Sequence, residues 1–206
     1  MNEFLSALQE LKKISQKRNF EQSIDLIINL KDFDIKKQTI NTSVELPFQI
    51  RESRICAFME KENDAFDFVI KKDHFSQLKP EQIKKLAREY DFFVSLASLM
   101  PAVATTFGRI LGPTGKMPNP KTGCVIPDER NAAEVVQKLK KTILLRTKDT
   151  SIKTSVGKEN IKDEQIVQNA SLVYNTILTL LPNRKENIRS VLLKLTMSKP
   201  VKVKIQ

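Results

Sequence analysis

Residues 90–127 read YDFFVSLASLMPAVATTFGRILGPTGKMPNPKTGCVIP. Phe92-Phe93-Val94 is an apolar run with no polar alternation, the pattern of a strand covered on both faces. Pro101–Phe107 predicts a short helix. From Gly108 to Pro127 the Gly/Pro density predicts a loop, and Glu129–Lys141 reads as a helix. Upstream, Arg54–Met59 and Phe66–Ile70 read as short strands, and Pro80 opens a helix that runs to about Glu89. Strands alternating with helices predict a layered α/β unit with a parallel sheet.

The two ends of the chain have a different rhythm. Phe4, Leu5, Leu8, Leu11 and Ile14 recur at helical spacing, so residues 3–17 predict an amphipathic helix, broken at Arg18-Asn19. Phe20, Ile24, Leu26, Ile28 and Leu30 then alternate with polar residues as in a half-buried strand. Residues 39–46 read as a second strand, stopped by Pro47. After the middle unit, Ile143–Thr147 and Ile152–Val156 suggest a hairpin across Lys148–Ser151. Asp163–Leu180 carries an apolar stripe of Ile166, Val167, Ala170, Val173, Ile177 and Leu180, and Pro182-Asn183 ends that helix. Val191, Leu193, Leu195 and Met197 alternate in one strand; Val201, Val203 and Ile205 alternate in the last. The shared character of the two ends predicts a discontinuous domain, 1–47 with 143–206, carrying an inserted domain, 48–142. Chain crossings near Pro47–Arg51 and Lys141–Thr142 would then form a hinge.

Charge points to a polyanion. The 206 residues carry 35 Lys+Arg against 24 Asp+Glu, a formal net charge of +11. Residues 1–47 hold seven basic and seven acidic groups, residues 48–142 sixteen and twelve, and residues 143–206 twelve and five. After Glu186 come Arg189, Lys194, Lys199, Lys202 and Lys204 with no acidic residue among them. Such a run is either a solvated face or a footprint for nucleic acid, with an anionic membrane a poorer fit. At 40 % apolar residues the chain can build a true core.

Several chemistries are excluded. One histidine, His74, and two distant cysteines, Cys56 and Cys124, cannot make a zinc finger or ribbon. No metal or other cofactor is expected. The cysteines read as reduced thiols of a cytoplasmic protein. Met1-Asn2-Glu3-Phe4 lacks the basic and apolar regions of a signal peptide. Phe92–Gly108 is uncharged, yet its Ser, Thr and Pro content fits a buried strand and short helix better than a membrane span.

The loop Gly112-Pro113-Thr114-Gly115-Lys116-Met117-Pro118-Asn119-Pro120-Lys121-Thr122-Gly123 is the most distinctive piece. It is not a P-loop: Ile110 holds the required glycine position and Met117 the hydroxyl position. No GxGxxG follows a strand. Lys116 and Lys121 on a Pro-braced loop suit secondary contacts with a nucleic-acid backbone, and a purely structural loop fits the composition equally well.

Arg109–Gly123, RILGPTGKMPNPKTG, resembles the signature loop of the family of large-subunit ribosomal protein one. Arg18–Leu30 (RNFEQSIDLIINL), Tyr90–Pro101 (YDFFVSLASLMP) and Lys194–Val203 (KLTMSKPVKV) resemble further family segments in the family's order, and Val156-Gly157-Lys158 fits as well. RNFxQS and KLTM resemble archaeal more than bacterial members. The resemblance implies a two-layer split α/β domain made by both termini and an inserted Rossmann-like three-layer domain. It implies binding to the large-subunit rRNA of the mobile side stalk, assistance in releasing deacylated tRNA from the exit site, and repression of the protein's own mRNA. It also implies a ribosomal location, and a monomer when free.

The same resemblance assigns the RNA surface to the terminal domain. Arg18, Phe20, Ser23 and Asp25 come from the first strand region; Gly157, Lys158, Lys194, Thr196, Met197 and Ser198 come from the carboxy-terminal segment. Phe20 and Met197 each fall on an apolar phase, so alternation alone makes both of them core. Asp25 stands where the family commonly has Glu, and can accept from a ribose 2′-OH or a base amino group. Ser198 replaces a glycine of the family's Thr-Met-Gly turn; were that position at positive φ, serine would be strained. Lys158 and Lys194 would meet phosphates. Pro47–Arg54 departs from the family's basic, Gly-rich hinge sequence. Two other readings remain: a free RNA-binding regulator, and a nucleotide-using α/β enzyme, for which no catalytic constellation exists in the sequence.

Overall fold

A computed structural model describes residues 2–16, 18–34, 40–75, 77–147 and 149–204, with Lys121 described by its backbone alone. The chain is a mixed α/β protein and divides into two compact units, 1–51 with 141–206, and 52–140.

The first unit begins with α1 (Asn2–Ile14), which buries Phe4, Ala7, Leu8 and Leu11 on one stripe. Strand β1 (Ser23–Leu30) follows, then β2 (Asn41–Glu45). From the distant segment come β7 (Thr142–Arg146), β8 (Ser151–Lys158), α5 (Asp163–Leu180), β9 (Ile188–Leu195) and β10 (Val201–Val203). One antiparallel sheet has the order β10-β9-β1-β8, and β2 pairs with β7 in a separate ribbon. Ile24, Leu26, Ile28 and Leu30 bury one face of β1 with Leu193 and Leu195 of β9, Ile152 and Val156 of β8, and the stripes of both helices. Phe4 meets Tyr174 edge to face at 5.9 Å, joining the helices above that face. The Lys12 ammonium pairs with the Asp163 carboxylate, which also suits the amino-terminal turn of α5. The other face of β1, with Ser23, Asp25, Ile27 and Asn29, is only half buried. This is a two-layer arrangement with one open sheet face.

Two buried asparagines fasten loops to that frame. The Asn169 side chain accepts from the Phe48 N–H (3.2 Å) and donates to the Phe48 and Val156 carbonyls, both at 3.1 Å. Asn187 accepts from the Asn183 N–H (2.8 Å) and donates to the Lys31 and Asp32 carbonyls, at 3.1 and 3.3 Å. Each backbone group left unpaired by removing such an amide would cost about 1–3 kcal/mol.

The second unit is a parallel sheet of β3 (Ile55–Met59), β4 (Phe68–Lys71), β5 (Phe92–Leu96) and β6 (Val125–Ile126), in the order β4-β3-β5-β6. Its helices are α2 (Pro80–Glu89), α3 (Met100–Thr114) and α4 (Ala132–Lys141), the last of which ends where the first unit resumes. Every residue of β3 and β5 is buried, so both faces of the sheet are covered. Phe58 contacts Phe75, Phe93 and Phe107, with ring centroids at 5.6, 5.9 and 4.7 Å.

Four sequence expectations need correction. The Gly108–Pro127 loop starts later, because α3 continues through Gly108, Gly112 and Pro113 to Thr114. Val103, Phe107 and Leu111 form a buried i, i+4 stripe that outweighs the glycine and proline penalties. The helix stops at Gly115, whose φ of 73° lets its N–H turn back to the Gly112 and Leu111 carbonyls. The hairpin does not form: β7 pairs with β2, and β8 pairs with β1 along its whole length. The first helix ends at Ile14 rather than residue 17. The strands containing Phe20 and Met197 are also shorter, β1 starting at Ser23 and β9 ending at Leu195. Residues 39 and 205, read as strand, lie outside the described residues, as do Lys17 and Lys148.

Candidate nucleic-acid interface

Antiparallel pairing puts the start of β1 between the ends of β8 and β9. Ser23 stands opposite Lys158, Ile24 opposite both Gly157 and Leu195, and Asp25 between Ser155 and Lys194. Three segments therefore meet at one end of the sheet: Glu21–Asp25, Gly157–Glu159 and Lys194–Ser198.

Phe20 precedes the strand and is 51 % exposed; Met197 follows its strand and is 62 % exposed. Both apolar phases end before these residues, so neither is core. Arg18 is exposed beside Phe20 in sequence. The Thr196 hydroxyl accepts from the Ser23 N–H at 3.1 Å, and the Thr196 N–H donates to the Ser23 carbonyl at 3.2 Å. The Lys194 ammonium donates to the Thr196 carbonyl at 3.0 Å, across the strand from Asp25.

The Ser198 position carries no positive φ, since among the described non-glycine residues only Asp32 and Arg184 do. Serine is therefore unstrained there. Its hydroxyl accepts from the Leu195 N–H at 3.0 Å, and its own N–H donates to the Leu195 carbonyl at 3.1 Å, closing the turn. Gly157 has a packing role: a Cβ there would lie 2.8 Å from Cγ1 of Ile166 on α5.

Two residues that the sequence reading passed over shape this end. Glu21 pairs with the Lys158 ammonium at 2.9 Å. Gln22 is 1 % exposed, and its Oε1 accepts from the Met197 N–H at 3.2 Å. Its signal was present: Gln22 is a polar residue in phase with Ile24, Leu26 and Ile28.

Lys116 and Lys121 belong to the other unit and are not part of this cluster. The Lys116 ammonium donates to the Tyr90 carbonyl at 2.6 Å, so it braces its own loop. Lys121 lies in the short helical turn Pro120–Thr122.

A model of the family described as ribosomal protein L1p/L10e matches residues 11–199. The chain is 34 % identical over 210 residues to the large ribosomal subunit protein uL1 of Methanothermococcus thermolithotrophicus, covering 97 % of this chain and 96 % of the relative. It is 36 % identical to the uL1 of Nanoarchaeum equitans over 210 residues, covering 96 % and 99 %. Against the uL1 of Methanocaldococcus jannaschii it is 35 % identical over 211 residues, covering 97 % and 94 %. The chain belongs to the ribosomal protein L1p/L10e family.

The archaeal character read from its motifs agrees with these relatives. L1p/L10e proteins are structural, so the enzyme reading falls with membership. Among the described residues no group of three or more His, Cys, Asp or Glu could hold a metal ion, and no helix is long and apolar enough to cross a membrane. Cys56 and Cys124 of this L1p/L10e protein are free and buried, and burial pushes both thiols up.

Proposed function

We propose that this protein is a constituent of the large ribosomal subunit and binds the rRNA of the mobile side stalk through the end of the β10-β9-β1-β8 sheet. The observation that carries the reading is the pairing of exposed apolar side chains with a polar, basic surround. Phe20, 51 % exposed, is next in sequence to the Glu21 that pairs with Lys158, and Met197, 62 % exposed, lies in the Thr196 turn that Lys194 donates to. A folded chain gains nothing by leaving two such side chains in water beside a cationic cluster. An RNA partner supplies both a base face for the phenyl ring and phosphates for the lysines.

Asp25 and Ser23 suit 2′-OH or base amino groups rather than phosphate. Arg18 joins the phosphate contacts. Lys116 and Lys121 offer a further backbone contact on the other unit, with Lys116 having first to leave the Tyr90 carbonyl. By this reading the protein moves with the stalk, assists departure of deacylated tRNA from the exit site, and uses the same surface to repress its own mRNA. The terminal domain, residues 1–47 with 143–206, is the rRNA-binding part by this reading, and the free protein is monomeric.

The test is direct titration of the full chain against a transcript of the rRNA stalk, with salt varied. Binding should weaken with a log–log slope of about 0.7–0.9 per phosphate neutralised. A flat salt response removes the lysines from the footprint. Co-sedimentation with the large subunit separates the ribosomal role from that of a free regulator, which stays in the supernatant.

A further inference from the structure

Three consecutive amides form the Thr196-Met197-Ser198 turn, and two are held by strand backbone. The Thr196 N–H donates to the Ser23 carbonyl at 3.2 Å and the Ser198 N–H to the Leu195 carbonyl at 3.1 Å. The middle one, Met197 N–H, is held by a side chain, Oε1 of Gln22 at 3.2 Å. That side chain is 1 % exposed, and its backbone carbonyl accepts from the Glu159 N–H at 2.9 Å, beside Lys158. One residue thus ties β1 to the turn after β9 and to the corner after β8.

The tie satisfies one backbone amide and carries a cost. The Gln22 Nε2 is buried and has no hydrogen-bond partner among the described residues. An apolar residue would continue the phase of Ile24, Leu26 and Ile28 and bury no unpaired Nε2, but would take away the acceptor of the Met197 N–H. Local rules broken in this way collect at sites kept for function. The Met197 side chain is the most exposed large apolar group of that end, so the turn's rigidity serves a partner rather than the core.

We infer that Gln22 is a positioning residue for the RNA contact, presenting Met197 by fixing its amide. This rests on the rRNA-binding reading above. Without the Gln22 oxygen, Met197 samples several orientations in the free protein and loses affinity to the ordering that binding then requires.

The experiment is a double-mutant cycle on the full chain, using Gln22→Met and Met197→Ala, with affinity for the stalk transcript, its salt slope, and the thermal midpoint as readouts. Gln22→Met is expected to weaken binding about tenfold, with the salt slope unchanged and the midpoint within a few degrees of the parent. In the Met197→Ala background the same change is expected to cost less than about twofold, because the two act through one contact. Equal losses in both backgrounds overturn the inference while leaving the interface intact. No loss from Met197→Ala alone overturns the interface reading and this inference with it. Hydrogen exchange of the Met197 amide in the unmodified protein needs no variant. Protection of tenfold or more over an unstructured amide is expected, and unprotected exchange overturns the inference even if Gln22→Met fails to fold.

Discussion

Met197→Ala separates the two readings of that residue most sharply. A methionine side chain moved fully from water to an apolar surround is worth about 1.5–3 kcal/mol. Met197 is 62 % exposed, so about six-tenths of that value, roughly 1–2 kcal/mol, remains to be gained on a partner. The rest, about 0.5–1 kcal/mol, already supports the fold. The variant should therefore bind the stalk transcript roughly 5- to 30-fold more weakly. Its thermal midpoint should fall by only about 1–4 °C for a chain of this size. Fluorescence anisotropy at fixed salt gives the first quantity and scanning calorimetry the second. A stability loss of about 2 kcal/mol or more, as for truncating a buried methionine, with affinity unchanged, would return Met197 to the core and refute the reasoning.

Glu21→Gln should tighten rRNA binding by roughly 1.5- to 5-fold, because the carboxylate that Lys158 must leave is worth only about 0.2–1 kcal/mol at a partly exposed site; weaker binding in the same titration would make Glu21 an RNA contact instead. Gly157→Ala places a Cβ 2.8 Å from Ile166 Cγ1 and should cost about 1–3 kcal/mol in chemical denaturation. Measured against the Ile166→Ala single variant as the reference, most of that loss should vanish on adding Gly157→Ala, and strict additivity would mean the clash is not the cause. Burial raises the pKa of Cys56 and Cys124, so the native state keeps thiol protons that the unfolded chain loses above about pH 8.5. Stability is then full below that pH and falls as pH rises past it. The thermal midpoint should drop between pH 7.5 and 9.5, and replacing both cysteines by alanine should flatten the drop. Unchanged slope would assign it to other groups.

Some elements are legible because one local signal settles them. Helix α5 spans Asp163–Leu180 as its stripe, acidic first turn and following Pro182 require. Alternation likewise gives the buried face of β1 correctly at Ile24, Leu26, Ile28 and Leu30. It fails at the ends, because a period-two pattern has no mark for where a strand stops. Phe20 and Met197 keep the phase and leave the sheet. Glycine and proline mislead at Gly108, Gly112 and Pro113, where the buried stripe of Val103, Phe107 and Leu111 holds α3 together. Proximity in sequence misleads at β7, whose partner β2 lies in the first fifty residues.

Sequence alone determined the alternation of elements, the α/β class, the concentration of positive charge after residue 143, and the motifs shared with a ribosomal family. Those are properties of residue type and order, and a chain carries them unfolded. Tertiary structure decided which ends meet. Only the antiparallel placement of β1 between β8 and β9 brings the segments that carry Phe20, Lys158 and Met197 to one end of the sheet, and only burial shows that Gln22 points inward to hold the turn. A part-buried hydrogen bond between residues 22 and 197 has no local signature, because its partners are 175 positions apart in sequence and only the packing of β1 beside β9 brings them together.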